Sequence, residues 1–196
     1  MSVADTRLFS EEKQRLRAWG KARRAALTSA QREAHSAQVC RRLLELSAFQ
    51  CAERVLSYAA FGAELNLDAL PTLAPEKQYF YPLCLPERQM AALRPRNDDG
   101  WTTGAFGIRT PVPERSEPIA PEKLDLILVP LVAFDRSAHR LGMGGGYYDR
   151  FLPRCTAAVK LGVAFCCQEA ERVPTGVHDW PLDGVLTEGG LVTLRQ

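Results

Sequence analysis

The chain is predicted to adopt an α/β fold in which helices cover a mainly parallel central sheet. Strand patterns alternate with helical patterns along the sequence, which is typical of layered α/β proteins. Two segments, LDLILVPLVAF (124–134) and VKLGVAF (159–165), are almost continuously apolar and contain branched residues. Runs of this kind indicate strands that are buried on both faces of a parallel sheet.

Two helices are predicted at the start of the chain. The motif Ser-Glu-Glu (10–12) supplies a serine cap and acidic residues for a first turn, and this helix is expected to continue to about residue 27. Thr28 and Gln31 then form a capping-box pattern, and apolar residues at helical spacing extend a second helix to about residue 47.

The middle of the chain has weaker patterns. RVLSYAA (54–60) and QYFYP (78–82) are predicted as short strands, with a helix near 67–73 between them. The segment 94–123 is rich in Pro, Gly, Asp and Glu, and we expect it to be a long loop anchored by Trp101 and Phe106.

A glycine loop follows the most apolar strand. RLGMGGGYYDR (140–150) places four glycines in five positions before a predicted helix start near 147–151. Ligands of parallel sheets bind beyond the carboxyl ends of the strands, so this loop lies where a ligand site is expected. GVLTE (184–188) and GGLVTL (189–194) predict two short final strands.

Length and composition are those of one globular domain, expected to span 1–196. Hydrophobic residues make up 46% of the chain and charged residues 24%, and no segment approaches the roughly 20 apolar residues of a membrane span. The first residues lack the apolar core of a secretory signal. The six cysteines form no C-x-x-C pair and are expected to be buried free thiols of a cytoplasmic protein, in preference to disulfides or zinc ligands.

The net charge of +2 conceals a basic segment. Residues 11–42 contain nine Lys or Arg and three Asp or Glu, a charge of +6, so the remainder sums to −4. Such a segment is compatible with a solvated helix face and with a surface that binds RNA or a polyanionic small ligand. Charge alone does not decide between these.

The glycine loop fits neither common nucleotide-binding pattern. No Lys-Ser or Lys-Thr follows the glycines, as a P-loop requires, and Tyr147 stands where a G-x-G-x-x-G pattern beginning at Gly142 needs its third glycine. Consecutive glycine amides followed by a helix start can nevertheless form a nest for an anion such as phosphate.

Asp149 follows this nest closely, where a carboxylate would repel phosphate unless a cation lay between them. Magnesium binds carboxylate and phosphate oxygens together and would resolve the conflict. The alternative is a glycine-rich turn in which Asp149 caps the helix. Arg140 and Arg150 flank the loop and offer bidentate phosphate contacts, although isolated arginines are more often surface residues.

Four segments of the chain resemble the 5-formyltetrahydrofolate cyclo-ligase family, whose members are also called methenyltetrahydrofolate synthetases. VPLVAFDRSAHRLGMGGGYYDRFL (129–152) resembles the family signature, and KQRLR (13–17) resembles its N-terminal Lys-x-x-Leu-Arg element. AELNLDAL (63–70) is similar to its folate segment, and HDWPLDGVLTE (178–188) to its acidic C-terminal segment. The segments occur in the family's order and bracket almost the whole chain.

The resemblance implies a three-layer α/β/α sandwich similar to ribose-5-phosphate isomerase and CoA transferases. It also implies an enzyme that uses magnesium and ATP to convert 5-formyltetrahydrofolate, with or without a polyglutamate tail, into 5,10-methenyltetrahydrofolate. ADP and phosphate are released. On this basis we expect a monomer that binds neither nucleic acid nor a membrane.

The resemblance also implies roles for individual residues. Glu64 matches the acid that holds the pterin side of the folate, and Asp149 and Asp179 match the magnesium ligands, with Asp183 as a nearby competitor for the second position. Arg140, Tyr148 and Asp149 are expected to serve the chemistry. The implied ATP contacts, of which Met143 to Tyr147 also face the folate, are Lys13, Arg17, Arg140, Leu141, Gly142, Met143, Gly144, Gly145, Gly146, Tyr147 and Tyr148.

Other residues near these motifs receive weaker assignments. Many family members have Arg where this chain has Met143, so one contact is expected to be weaker here. His139 and His178 lie beside motif residues, but neither is assigned a catalytic role. Aromatic residues that are candidates either for stacking on the folate rings or for the core are Tyr58, Phe61, Trp101 and Tyr147.

The implied mechanism transfers the γ-phosphoryl group of ATP to the formyl oxygen, after which N10 closes the ring and phosphate leaves. Two rival hypotheses are a non-catalytic RNA-binding or nucleotide-binding module and an inactive relative that only binds folate. The first would use the basic segment, but Trp19 is the only aromatic residue between Lys13 and Arg42, which is a weak platform for stacking bases.

Overall fold

A computed structural model of the chain, which describes residues 3–104 and 107–194, confirms the predicted α/β class. Its helices are α1 (Val3–Ala25), α2 (Ser29–Glu45), α3 (Ser47–Cys51), α4 (Leu70–Leu73) and α5 (Tyr147–Phe151). Its strands are β1 (Arg54–Leu56), β2 (Gln78–Cys84), β3 (Met90–Pro95), β4 (Trp101–Thr103), β5 (Arg109–Pro111), β6 (Ser116–Ile119), β7 (Leu126–Pro130), β8 (Ala133–Phe134), β9 (Arg140–Leu141), β10 (Val159–Val163), β11 (Gly184–Thr187) and β12 (Gly190–Leu194).

Eight of these strands form one sheet, in the order β12-β11-β10-β7-β1-β2-β3-β6. The five strands from β11 to β2 are parallel, whereas β12 and β3 pair antiparallel with their neighbours. Two short antiparallel ribbons, β4 with β5 and β8 with β9, lie outside this sheet. No described helix is long and apolar enough to cross a membrane.

Apolar side chains cover both faces of the sheet and so create three layers. On one face, Leu128 and other strand residues pack against α2 and α3 through Leu43 and Phe49. On the opposite face, Ile127 and Val129 pack against the segment that begins with α5, including Phe151. Because both faces of β7 are covered, its apolar residues need no alternation with polar ones.

Helix α1 lies across the carboxyl edge of the sheet, where it contacts β8 and the turn 166–168 that follows β10. Gly20 permits this close approach, because a Cβ atom at that position would lie 2.3 Å from the carbonyl oxygen of Val132. The N-terminal basic helix is thereby placed over the edge at which ligands of parallel sheets bind.

Several predicted boundaries are wrong. The first helix begins at Val3 instead of near residue 10, strand β1 ends at Leu56, and α3 was not predicted. The predicted helix 67–73 contains only the four-residue α4, and the run 124–134 is divided between β7 and β8.

The largest error concerns the segment 94–123, which is not a long loop. It contains the last residues of β3 together with β4, β5 and β6. Prolines hide these strands in the sequence, but β6 is an edge strand, where proline is tolerated. Trp101 packs edge-on against Tyr81, with ring centroids 4.6 Å apart, and Phe106 lies outside the described residues.

Candidate active site

The two basic residues of the KQRLR motif converge on the glycine loop and on the C-terminal acidic segment. Lys13 and Arg17 are four residues apart and share one face of α1. The Nζ atom of Lys13 lies 2.5 Å from Oδ2 of Asp179, and Nε of Arg17 donates to the carbonyl oxygen of Gly142 at 3.0 Å. The fold thus brings together three segments that are far apart in the sequence.

The glycine loop has the backbone of an anion nest. Gly144 and Gly146 have positive φ angles of +101° and +71°, whereas Gly145 between them does not. Alternation of this kind turns successive amides toward a common centre. The main-chain N–H groups of 142–146 donate no hydrogen bond to the described residues, and the Arg17 guanidinium lies beside Gly144. These groups are therefore available to an anion.

A buried acid that was not predicted fixes the ribbon before the loop. Asp135 is 4% exposed and accepts hydrogen bonds from the main-chain N–H groups of Ser137, His139 and Val173. Its Oδ2 atom also lies 3.1 Å from Nδ1 of His139. His139 is therefore held by an acidic partner on the same ribbon.

Asp149 does not cap helix α5. Gly146 occupies the cap position, and Asp149 lies inside the helix, where its Oδ1 atom accepts from Arg140 at 2.7 Å and from the Trp180 N–H at 3.3 Å. Arg140 is nearly buried and also donates to the Trp180 carbonyl. The Arg140 side chain therefore ties Asp149 to the C-terminal acidic segment and does not point freely at a phosphate.

The structure separates Asp179 from Asp183. Asp179 lies in the site, where it accepts from Lys13 and from the Gly176 N–H at 2.6 Å. Partial burial opposes its ionisation, but these two donors together lower the pKa of Asp179 below its usual value. Asp183 lies at the opposite edge of the sheet, where it accepts from the N–H of Lys160 at the start of β10.

Asp149 and Asp179 form a donor set that fits magnesium. The described residues contain no group of three or more His, Cys, Asp or Glu side chains arranged as a metal cage. Each aspartate has one oxygen, Oδ2 of Asp149 and Oδ1 of Asp179, that accepts no hydrogen bond from the described chain. Magnesium commonly uses one or two carboxylates together with substrate phosphates, so two aspartates would suffice as its protein ligands.

Glu64 lies in a partly buried charged cluster with Arg24 of α1. Its side chain is 14% exposed, accepts from the Phe61 N–H at 3.1 Å and lies 3.7 Å from Arg24. Burial raises the pKa of Glu64, and the Phe61 amide and Arg24 offset only part of this effect. Arg24 was not predicted, although its spacing from Lys13 and Arg17 places it on the same face of α1.

The four aromatic residues that were predicted as candidates for stacking on the folate lie in different environments. Tyr147 packs beside Gly145 in the loop, and Phe61 is exposed next to Glu64. Tyr58 is buried and donates to the carbonyl oxygen of Leu65, and Trp101 belongs to a separate cluster with Tyr81.

Trp180, which is 40% exposed beside Asp179, was not predicted.

Tyr148, like Tyr147 before it, packs against the core that lies under α5. Its ring packs against the same core as Phe151, and its hydroxyl oxygen is buried without a hydrogen-bond partner among the described residues. Glu64 and Arg140 both lie close enough for their charges to act on this hydroxyl. The Tyr148 hydroxyl is therefore a polar group that the described protein leaves unpaired within range of charged residues of the site.

Known proteins resemble this chain in sequence and in fold. The sequence model of the 5-formyltetrahydrofolate cyclo-ligase family matches residues 9–188. A 5-formyltetrahydrofolate cyclo-ligase from Haemophilus influenzae is 31% identical over 183 residues, which cover 90% of this chain and 98% of that protein. The solved structure of 5,10-methenyltetrahydrofolate synthetase from Aquifex aeolicus is 35% identical, with a TM-score of 0.82, and the match covers 94% of this chain and 93% of that one. A synthetase from Mycoplasma pneumoniae, 20% identical with a TM-score of 0.73, shares the fold.

Proposed function

The chain belongs to the 5-formyltetrahydrofolate cyclo-ligase family of enzymes, and on this premise we propose that it closes the ring of 5-formyltetrahydrofolate at the expense of ATP. The products are 5,10-methenyltetrahydrofolate, ADP and phosphate, and the reaction requires magnesium. One observation carries the proposal: Lys13 and Arg17 of α1 contact Asp179 and the glycine loop, whose amides at 142–146 donate no hydrogen bond to the described residues.

The triphosphate is bound between α1 and the glycine loop. Lys13, Arg17 and the amides of 142–146 supply positive charge and hydrogen-bond donors for it. Leu141, Tyr147 and the main chain of Tyr148 flank the loop and complete the ATP side. The folate occupies the side of Glu64, with the loop residues Met143 to Tyr147 in contact with both substrates.

The formyl group on N5 is amide-like and therefore a poor electrophile toward N10. Transfer of the γ-phosphoryl group to the formyl oxygen turns that oxygen into a good leaving group. Ring closure by N10 then releases phosphate. Such a reaction depends mainly on positioning and on neutralisation of phosphate charge, which Lys13, Arg17 and the loop amides supply.

Asp149 and Asp179 would hold the magnesium ion, and Arg140 fixes the position of Asp149. When bound, magnesium supplies positive charge between these carboxylates and the phosphate oxygens. Lys13 holds Asp179 in place, so that both carboxylates keep their positions near the phosphates.

We also propose that residues 1–196 act as one monomeric domain in the cytoplasm. All six cysteines are free, which favours a reducing compartment, although Cys51, Cys84 and Cys166 are exposed and not buried as the sequence predicted. The substrate carries its folate tail with or without additional glutamates.

Activity is tested by incubating the purified protein with 5-formyltetrahydrofolate and Mg-ATP while the methenyl chromophore is followed by absorbance. Product is expected only when ATP and magnesium are both present. No product, or product that forms equally well without ATP, would falsify the proposal.

The metal site is tested by the substitution Asp149→Asn, which keeps the size of the side chain and removes its charge. We expect kcat to fall by about a hundredfold or more, since removal of one electrostatic group from an active site has effects of this size. Asp183→Asn is the matched control at the opposite edge of the sheet, and its folded fraction should keep the parent rate. Equal rates for Asp149→Asn and the parent protein at saturating magnesium would remove the role of Asp149.

A further inference from the structure

The buried hydroxyl of Tyr148 has no partner within the described protein. Its oxygen is shielded from solvent and makes no hydrogen bond to the described residues. Buried polar groups are nearly always paired, because an unpaired one destabilises the folded state. A buried hydroxyl without a protein partner therefore indicates a ligand atom that completes it.

Two other buried tyrosines show that this fold can satisfy a phenol. The hydroxyl of Tyr58 donates to the carbonyl oxygen of Leu65 at 2.6 Å. The hydroxyl of Tyr79 lies 3.0 Å from the carbonyl oxygen of Leu70 and 3.2 Å from that of Ala74. Tyr148 differs from both, although it too is packed against a core of the molecule.

The position of Tyr148 indicates which ligand atom is involved. It follows the glycine loop directly and precedes Asp149, so it belongs to the nucleotide side. Glu64, on the folate side, is nevertheless close enough to act on its hydroxyl, as is Arg140. In the proposed reaction the two substrates meet at the formyl oxygen and the γ-phosphorus, and the unpartnered hydroxyl beside the glycine loop is a candidate donor to the first of these atoms.

We propose that the Tyr148 hydroxyl donates a hydrogen bond to the formyl oxygen of 5-formyltetrahydrofolate and selects the formyl-bearing substrate. This inference rests on the proposed function. A phenol keeps its proton at neutral pH and is a donor, whereas the neighbouring carboxylate of Glu64 can only accept when ionised. The bond holds the carbonyl toward the γ-phosphoryl group, and no proton leaves the tyrosine.

Tyr148→Phe tests the proposal, because it removes one oxygen and keeps the ring. Equilibrium binding of 5-formyltetrahydrofolate is compared with that of 5-methyltetrahydrofolate, which lacks the carbonyl oxygen. Both titrations contain magnesium and a non-hydrolysable ATP analogue, so no turnover occurs. We expect the preference of the parent protein for the formyl compound to fall by about five- to tenfold in the variant, the usual size of one hydrogen bond. Affinities for the methyl compound and for the ATP analogue should not change.

Tyr79→Phe is the matched control. It removes a hydroxyl that bonds to the main chain, so we expect a lower melting temperature and an unchanged formyl preference. Tyr148→Phe should not lower the melting temperature, because it breaks no bond within the described protein. An unchanged preference in Tyr148→Phe, or weaker binding of both folates or of the ATP analogue, overturns the inference.

The role of Tyr148 and the proposed function can fail independently in these experiments. If the parent protein forms the methenyl product but Tyr148→Phe retains its preference, only the role of Tyr148 fails. If the parent protein forms no product and does not prefer the formyl compound, the proposed function fails.

Discussion

At the scale of single residues, Glu64 has two opposing influences on its charge. Burial disfavours its ionised form, while Arg24 and the Phe61 amide favour that form less strongly. The folded-state pKa of Glu64 is therefore above its usual value. As the pH falls, Glu64 takes up a proton earlier than an exposed glutamate would, and the folate side then loses its acceptor.

Glu64→Gln is expected to weaken binding of 5-formyltetrahydrofolate by about tenfold, because it removes hydrogen bonds to a charged acceptor. In the parent protein, folate affinity should decline as the pH falls through the raised pKa of Glu64, and in the variant this decline should be absent. Titrations across the acidic and neutral range, with an ATP analogue as the internal reference, measure both effects. Glu76→Gln at an exposed position is the control, and a Glu64→Gln profile with the same pH dependence as the parent would contradict the assignment.

At the scale of elements, α1 connects both halves of the site. Four of its residues occur at helical spacing on one face: Lys13 contacts Asp179, Arg17 contacts Gly142, Gly20 approaches Val132, and Arg24 pairs with Glu64. The neighbouring basic residues Arg15, Lys21 and Arg23 are exposed. Three of the nine basic residues of the segment 11–42 thus make contacts in the candidate site.

Gly20→Ala tests this role of α1. Alanine favours a helix over glycine by about 1 kcal/mol. A Cβ atom 2.3 Å from the Val132 carbonyl, however, forces α1 away from the sheet, and overpacking of this kind costs about 1–3 kcal/mol. The clash should prevail because its partner is main chain and cannot rotate aside.

We therefore expect Gly20→Ala to lower the melting temperature and to raise KM for both ATP and the folate, as steady-state kinetics and thermal unfolding will show. Gln14→Ala, on the exposed side of the same helix, should change neither quantity. A more stable Gly20→Ala variant with parental KM values would show that α1 does not need its close contact.

At the scale of the whole molecule, one sheet supports both cores and the site. The two hydrophobic cores lie on opposite faces of the same strands, and β7 contributes side chains to both. Loss of the core on one face of the sheet would therefore also disrupt the core on the other face. Ligands that bridge α1 and the loop should stabilise the whole unit.

We predict one cooperative thermal transition, with calorimetric and van't Hoff enthalpies that agree. A non-hydrolysable ATP analogue with magnesium, at about a hundred times its Kd, should add about 2.7 kcal/mol to the free energy of unfolding. Scanning calorimetry with and without the analogue measures both quantities. Two separate transitions, of which only one responds to the analogue, would contradict a single domain.

The sequence by itself determined the α/β class, the two N-terminal helices, the strand around 126–130 and the glycine loop with helix α5. These features are local, since spacing of apolar residues, caps and glycines is read along the chain without knowledge of distant partners. The motif around Lys13 and Arg17 and the position of Asp149 were likewise visible in the sequence. The segment 94–123 was misinterpreted because short edge strands with prolines resemble loops locally.

Only the tertiary structure decided which charges meet. It placed Asp179 beside Lys13, 166 residues away, and Asp183 at the opposite edge of the sheet. It also paired Arg24 with Glu64 and left the Tyr148 hydroxyl without a partner among the described residues. The sequence shows which residues carry charge and hydrogen-bonding groups. The distances between those groups depend on strand order and helix packing, which arise from contacts between remote parts of the chain.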